Sequence, residues 1–187
     1  AAPQNLAARG VLAQAWHAGK RAEVAVRLAK GIRVAGGCAG GSADAAAARV
    51  GCLARWGADL GREGLLQVAA TRDSDVPFSL VGGTALGKGR GERLTSVLSV
   101  GTFSWVLALS DGGLSTPAVY SEPDRQRETG PVTVASQPTE VLSALRQGAP
   151  MLLRRPLSND LQPPALALQP QLQTWLPARA ELARLAA

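Results

Sequence analysis

The stretch that decides the fold is Lys30–Ala48, KGIRVAGGCAGGSADAAAA. Ahead of it, Glu23 to Lys30 alternates. Val24, Val26 and Leu28 point one way, the pattern of a half-buried strand. Behind it, Ser42 to Trp56 is Ala-rich and reads as a helix, with Val50, Leu53 and Trp56 as its expected core contacts. A strand that runs into glycines, which run into a helix, has the form of an anion cradle. Gly36, Gly37, Gly40 and Gly41 would take positive φ and let the backbone approach a ligand. Their N–H groups, with those of the helix start, would face phosphate oxygens. Ser42 would cap the helix or offer its hydroxyl to a phosphate or Mg²⁺. No Lys follows the glycines, so this is not a Walker A loop, and the G-x-G-x-x-G spacing of a dinucleotide fingerprint is absent. Glycines also make surface loops or permit tight helix–strand packing, and the loop alone leaves these readings open.

Outward from the loop, helices and strands mix. Asn5 stands as an N-cap before a helix carrying Leu6, Ala13 and Trp16 on one face, with Gly19 as its stop. Arg62–Thr71 reads as a short helix. Pro77 is expected to push Val76 into an extended conformation and keep Asp75–Phe78 out of a helix. Thr84–Leu94 is strand-like but broken by glycines, and Trp105–Leu109 reads as an apolar strand. Asp111-Gly112-Gly113 is a turn, Thr116-Pro117 opens a helix with Pro at its first position, and Val141–Arg146 and Ala178–Ala187 look helical. This alternation predicts an α+β or mixed α/β chain.

Composition narrows the function. The 187 residues carry 20 Lys plus Arg against 14 Asp plus Glu, a net charge of +6. The basic residues are dispersed and only 4% of residues are aromatic, which supplies poor stacking platforms for nucleic acid. No apolar run reaches the ~18–20 residues of a membrane span. The N-terminus does not read as a signal peptide. Two Cys make no disulfide framework, and a reducing cytoplasm is expected. His17, Cys38 and Cys52 lack metal-site spacing, and Cys38, beside a helix start, is expected to serve small-residue packing. The expected partner is a small anionic molecule, with no nucleic acid and no membrane; oligomeric state is not legible.

The loop resembles the second conserved motif of the GHMP small-molecule kinases. VAGGCAGGSADAAAA with SDVPF, GGTALGKGRGE and DGGLSTPAVY, in that order, is similar to the actinobacterial type of 4-diphosphocytidyl-2-C-methyl-D-erythritol kinases. The resemblance runs from about Asn5 to about Gln162. It implies a two-lobed α+β fold, with residues 1–98 in an ATP-binding lobe and 99–187 in a substrate lobe. It implies ATP and Mg²⁺, and phosphorylation of the 2-hydroxyl of a cytidine diphosphate-linked polyol in isoprenoid precursor synthesis. By the same resemblance Val34, Ala35, Gly36, Gly37, Cys38, Ala39, Gly40, Gly41, Ser42 and Ala43 wrap the ATP phosphates, with Ser42 a Mg²⁺ ligand. Asp75 is the catalytic base, Asn5 and Lys30 contact the nucleoside, and Thr116 and Tyr120 line the cytidine pocket.

Four departures from the family pattern accompany these matches. No residue before Asn5 matches the family's opening strand with its Lys and aromatic–His pair, and no Gly-Ser-Gly-Pro-Thr type loop follows. The expectation is therefore a fold incomplete at both ends. Arg33 replaces the usual Pro. Asp73 replaces the usual Gly, where it is expected to raise the pKa of Asp75 and to strain the turn. The alternatives are a non-catalytic nucleotide-binding remnant and another GHMP kinase, with homoserine or mevalonate as acceptor.

Overall fold

The computed structural model describes residues 5–32, 34–71, 73–110, 112–127, 138–154 and 156–177. The chain divides into two compact units, Ala1–Val34 with Cys38–Val97, and Ala35–Gly37 with Leu98–Ala187. It is an α+β chain, rich in helix, with one two-stranded sheet among the described residues.

The first unit holds α1 (Leu6–His17), α2 (Gly40–Trp56), α3 (Gly61–Ala70), α4 (Asp75–Val81), β1 (Ala85–Lys88) and β2 (Arg93–Ser96). Asn5 caps α1 as its position predicts: its Oδ1 accepts from the N–H groups of Ala7 at 2.9 Å and Ala8 at 3.4 Å. Gly19, at φ 59°, follows the C-cap residue Ala18. The buried face of α1 is Ala7, Gly10, Val11, Gln14 and Ala15, and Trp16 is 84% exposed. The buried face of α2 is Ser42, Ala45, Ala46, Arg49 and Cys52, while Val50 is exposed and Leu53 and Trp56 are half-buried. The expected core placement of Val50 is thus corrected, and Trp16 lies outside the buried face of α1. Small side chains let α1 and α2 approach closely, and that face leaves no room for indole rings. The core is Ala45, Ala46, Ala69 and Val76, joined by half-buried Leu6 and Leu80.

Pro77 lies inside α4, contrary to expectation, as its third residue. First-turn N–H groups have no intrahelical acceptor, so a proline there forfeits no bond. The Gly-punctuated stretch forms an antiparallel hairpin, with Ala85 paired to Ser96 and Lys88 to Arg93. From its turn, Arg90 Nη2 donates to Ala70 O at 3.1 Å and so caps the C-terminus of α3.

Two expected strands do not form. Along Glu23–Lys30, Val24, Val26 and Leu28 are half-buried and their neighbours exposed, so the alternation is real. No ladder partner lies beside it among the described residues. Trp105–Leu109 is exposed throughout and equally unpaired. A strand needs a neighbouring strand for its backbone hydrogen bonds, and apolar pattern alone does not supply one.

The second unit holds α5 (Thr116–Arg127), α6 (Thr139–Gln147), α7 (Pro150–Leu153), α8 (Gln162–Leu168) and a 3₁₀ turn, Pro170–Trp175. Pro117 is the second residue of α5 rather than its first. Val119, Ala144 and Leu153 are buried. Val100 N–H donates to Leu145 O at 2.9 Å, and Gly148, at φ 61°, ends α6 where a Cβ would lie 2.9 Å from Val100 O. Asp111 and the expected helix Ala178–Ala187 lie outside the described residues. Among the described residues no helix is long and apolar enough to cross a membrane.

Candidate active site

The glycine-rich loop enters α2 by way of two left-handed alanines. Ala35 has φ 58° and Ala39 has φ 49°, and of the four glycines expected at positive φ only Gly37 (70°) takes it. An L-residue in this region costs about 1–2 kcal/mol, strain that persists only where the surroundings impose it. Gly40 serves packing: a Cβ there would sit 2.8 Å from Ile32 Cγ2. At Gly41 it would touch Leu6 Cδ1 at 3.4 Å.

Ala39, not Ser42, is the N-cap of α2, and its carbonyl accepts from the N–H groups of Ser42 and Ala43, each at 3.0 Å. Ser42 is the third helical residue, is buried, and donates through Oγ to Asp73 Oδ1 at 3.3 Å. The expected capping role is corrected, because the helix begins two residues earlier. Gly40 and Gly41 open a helix of 17 residues whose first turn carries no acidic side chain. Their N–H groups have no carbonyl behind them within the helix, and the macrodipole is positive at that end. Lys30 Nζ pairs with Asp44 Oδ2 on the second turn of α2. Cys38 is exposed just ahead of the helix, whereas Cys52 is buried, and burial pushes its thiol up.

Asp75 is the first residue of α4 and is exposed. Partial burial of its carboxyl, and then the neighbouring charge of Asp73, raise it above the ordinary carboxylate range. Asp73 Oδ1 accepts from the N–H groups of Asp75 at 2.9 Å and Val76 at 3.3 Å, as an Asx turn does. The expected strain at Asp73 is corrected: Ala35 and Ala39 are the only non-glycines at positive φ among the described residues. Arg33 lies outside those residues.

The first unit thus brings Ser42, Asp73 and Asp75 together. Asn5 commits its side-chain oxygen to the start of α1. Thr116 and Tyr120 lie one turn apart on α5, in the second unit, and both are exposed, Tyr120 by 57%. Ala35 belongs to that unit too, where a Cβ on Gly113 would lie 2.8 Å from the Ala35 methyl.

Sequence reasoning missed Arg49. It is 2% exposed, on the Ala face of α2, and its Nη1 donates to Gln14 Oε1 at 3.2 Å. Among the described residues its Nε and the Gln14 Nε2 have no hydrogen-bond partner. Burial lowers its pKa, and the charge of Asp73 works in the other direction. The signal was present: Ser42, Ala45, Ala46, Arg49 and Cys52 form one helical stripe with a lone Arg in it.

Residues 5–83 match the family model for the GHMP kinases N terminal domain. Similarity extends further along the chain. It is 53% identical over 185 residues to a 4-diphosphocytidyl-2-C-methyl-D-erythritol kinase of Streptomyces avermitilis, covering 98% of this chain and 62% of the relative. The kinase of that name from Nocardia farcinica is 51% identical over 172 residues, 92% of this chain and 56% of the relative. The one from Mycobacterium tuberculosis is 48% identical over 183 residues, 98% and 58%. A crystal structure of 4-(cytidine 5'-diphospho)-2C-methyl-D-erythritol kinase matches with a TM-score of 0.61 and 31% identity, over 92% of this chain and 60% of that one. The chain therefore spans 56–62% of the length of these three relatives.

Proposed function

We propose that this chain carries the phosphate-binding loop and the base of a kinase that uses ATP to phosphorylate the 2-hydroxyl of 4-diphosphocytidyl-2-C-methyl-D-erythritol, a step toward isoprenoid precursors in the cytoplasm. The observation that carries the reading is 53% identity to a kinase of that name along 98% of the chain. The geometry of the first unit supports it.

In this reading the N–H groups that open α2 hold ATP phosphate oxygens, and the loop from Val34 to Ala43 wraps them. The acceptor hydroxyl oxygen attacks the γ-phosphorus, the bond from that phosphorus to the β–γ bridging oxygen breaks, and ADP leaves. Asp75 takes the hydroxyl proton. Its exposure lets an acceptor reach it, and its raised pKa makes it a stronger base than an ordinary carboxylate. Mg²⁺ would arrive with the phosphates, with Ser42 Oγ as a protein ligand. Ser42 spends its proton on Asp73, which leaves oxygen lone pairs for a cation. When bound, Mg²⁺ neutralises developing phosphate charge. Lys30 and Asn5 contact the nucleoside of ATP, and Thr116 with the exposed ring of Tyr120 takes the cytidine.

The test is ADP release by the purified chain with ATP and Mg²⁺, offering the diphosphocytidyl acceptor, homoserine or mevalonate. Release with the diphosphocytidyl acceptor alone is expected. Release with another acceptor reassigns the substrate. ATP binding without any release supports a non-catalytic nucleotide-binding module instead.

A further inference from the structure

We infer that Asp73 is a positioning residue, one whose single carboxylate oxygen ties the base-bearing start of α4 to the phosphate-binding start of α2. The inference rests on the kinase reading above and deepens it.

Three donors converge on Asp73 Oδ1: the Asp75 N–H at 2.9 Å, the Val76 N–H at 3.3 Å and the Ser42 hydroxyl at 3.3 Å. The first two belong to α4. A helix start leaves its first N–H groups without intrahelical partners. In α4 these are Asp75 and Val76, since the third residue, Pro77, has no N–H. Ser74, which holds the N-cap position, makes no side-chain cap. Asp73 therefore supplies the acceptor that both available donors of this turn use, and it fixes the backbone from which Asp75 projects. The third donor, Ser42, lies 31 residues away in sequence, on α2. Ser42 is buried. The same oxygen thus sets two elements of the proposed chemistry in register. Buried Arg49 lies within electrostatic reach of the Asp73 carboxylate.

Deleting the carboxylate should let the first turn of α4 fray while leaving the N–H groups that open α2 in place. A base displaced by about 1 Å costs on the order of a hundredfold in rate. The experiment compares wild type, Asp73→Ala and Asp73→Asn for kcat, for KM of MgATP, and for amide exchange at Asp75 and Val76. For Asp73→Ala, kcat is expected to fall about 10–100-fold with KM for MgATP within about threefold. Exchange at both amides should accelerate. Asp73→Asn keeps a side-chain oxygen acceptor and should recover kcat to within about threefold of wild type, with slow exchange restored. An Asp73→Ala enzyme with wild-type kcat overturns the inference. So does an Asp73→Asn enzyme as impaired as Asp73→Ala, which would assign the effect to charge. If Asp73→Ala does not fold, Asp73→Asn decides: near-wild-type kcat and exchange support the inference, and a tenfold loss of kcat overturns it. A wild-type chain without turnover removes the kinase reading and this inference with it, whereas an effect missing only in the variants removes this inference alone.

Discussion

Two stretches of this chain meet opposite fates. Ser42–Trp56 is rich in alanine, and its Ala face becomes the centre of the first unit, with Ala45 at 1% and Ala46 at 5% exposure. Trp105–Leu109 offers a tryptophan, a valine and two leucines, and it lies open, with Trp105 at 67% and Val106 at 74% exposure. The more hydrophobic stretch is the one left in water. Burial is decided by what stands opposite. The small face of α2 meets the small face of α1 and the start of α4, whereas no strand pairs with Trp105–Leu109 among the described residues. Close helix contact needs small side chains and little else; a strand needs a neighbour.

The contrast can be broken by substitution. Ala69 is fully buried in the small-residue core. Ala69→Leu adds volume that tightly packed helices cannot absorb and should cost about 1–3 kcal/mol in urea unfolding. An unchanged midpoint would mean that this core is loose, and the comparison would lose its first half. At the other end of the scale, Leu107→Ser removes a side chain that is already 69% exposed and should change stability by less than about 0.5 kcal/mol. A larger loss would show that this stretch is covered in solution.

The local signals in the sequence were legible. Asn5 before an apolar-periodic run marks the α1 cap, whereas Thr84–Leu94 reads as one strand broken by glycines and folds as an antiparallel hairpin. The errors share a cause, which is that long-range partners are not written in any window. Trp16, on one face with Leu6 and Ala13 by its spacing, is exposed, because the buried face of α1 is set by its contact with α2. Pro77 was read as a helix breaker, although in a first turn it breaks nothing. The positive φ values fell on Ala35 and Ala39, which no propensity marks. For the candidate site, the proximity of Asp73 to Asp75 was legible from their spacing, and so was the direction of the pKa effect. The bond from Ser42 to Asp73 was not, because it spans the chain from α2 to α4.

Asp75 carries the proposed chemistry, and Asp75→Asn tests that role by turnover and melting temperature together. Because the folded-state pKa of Asp75 is raised, its stabilising contribution is present in acid and is lost as pH rises through that value. At neutral pH the ionised carboxylate therefore costs the fold a little stability, and a neutral amide relieves that cost. Asp75→Asn should reduce turnover by at least about a hundredfold, with a melting temperature equal to or above that of the wild type. Turnover at the wild-type rate would contradict that role.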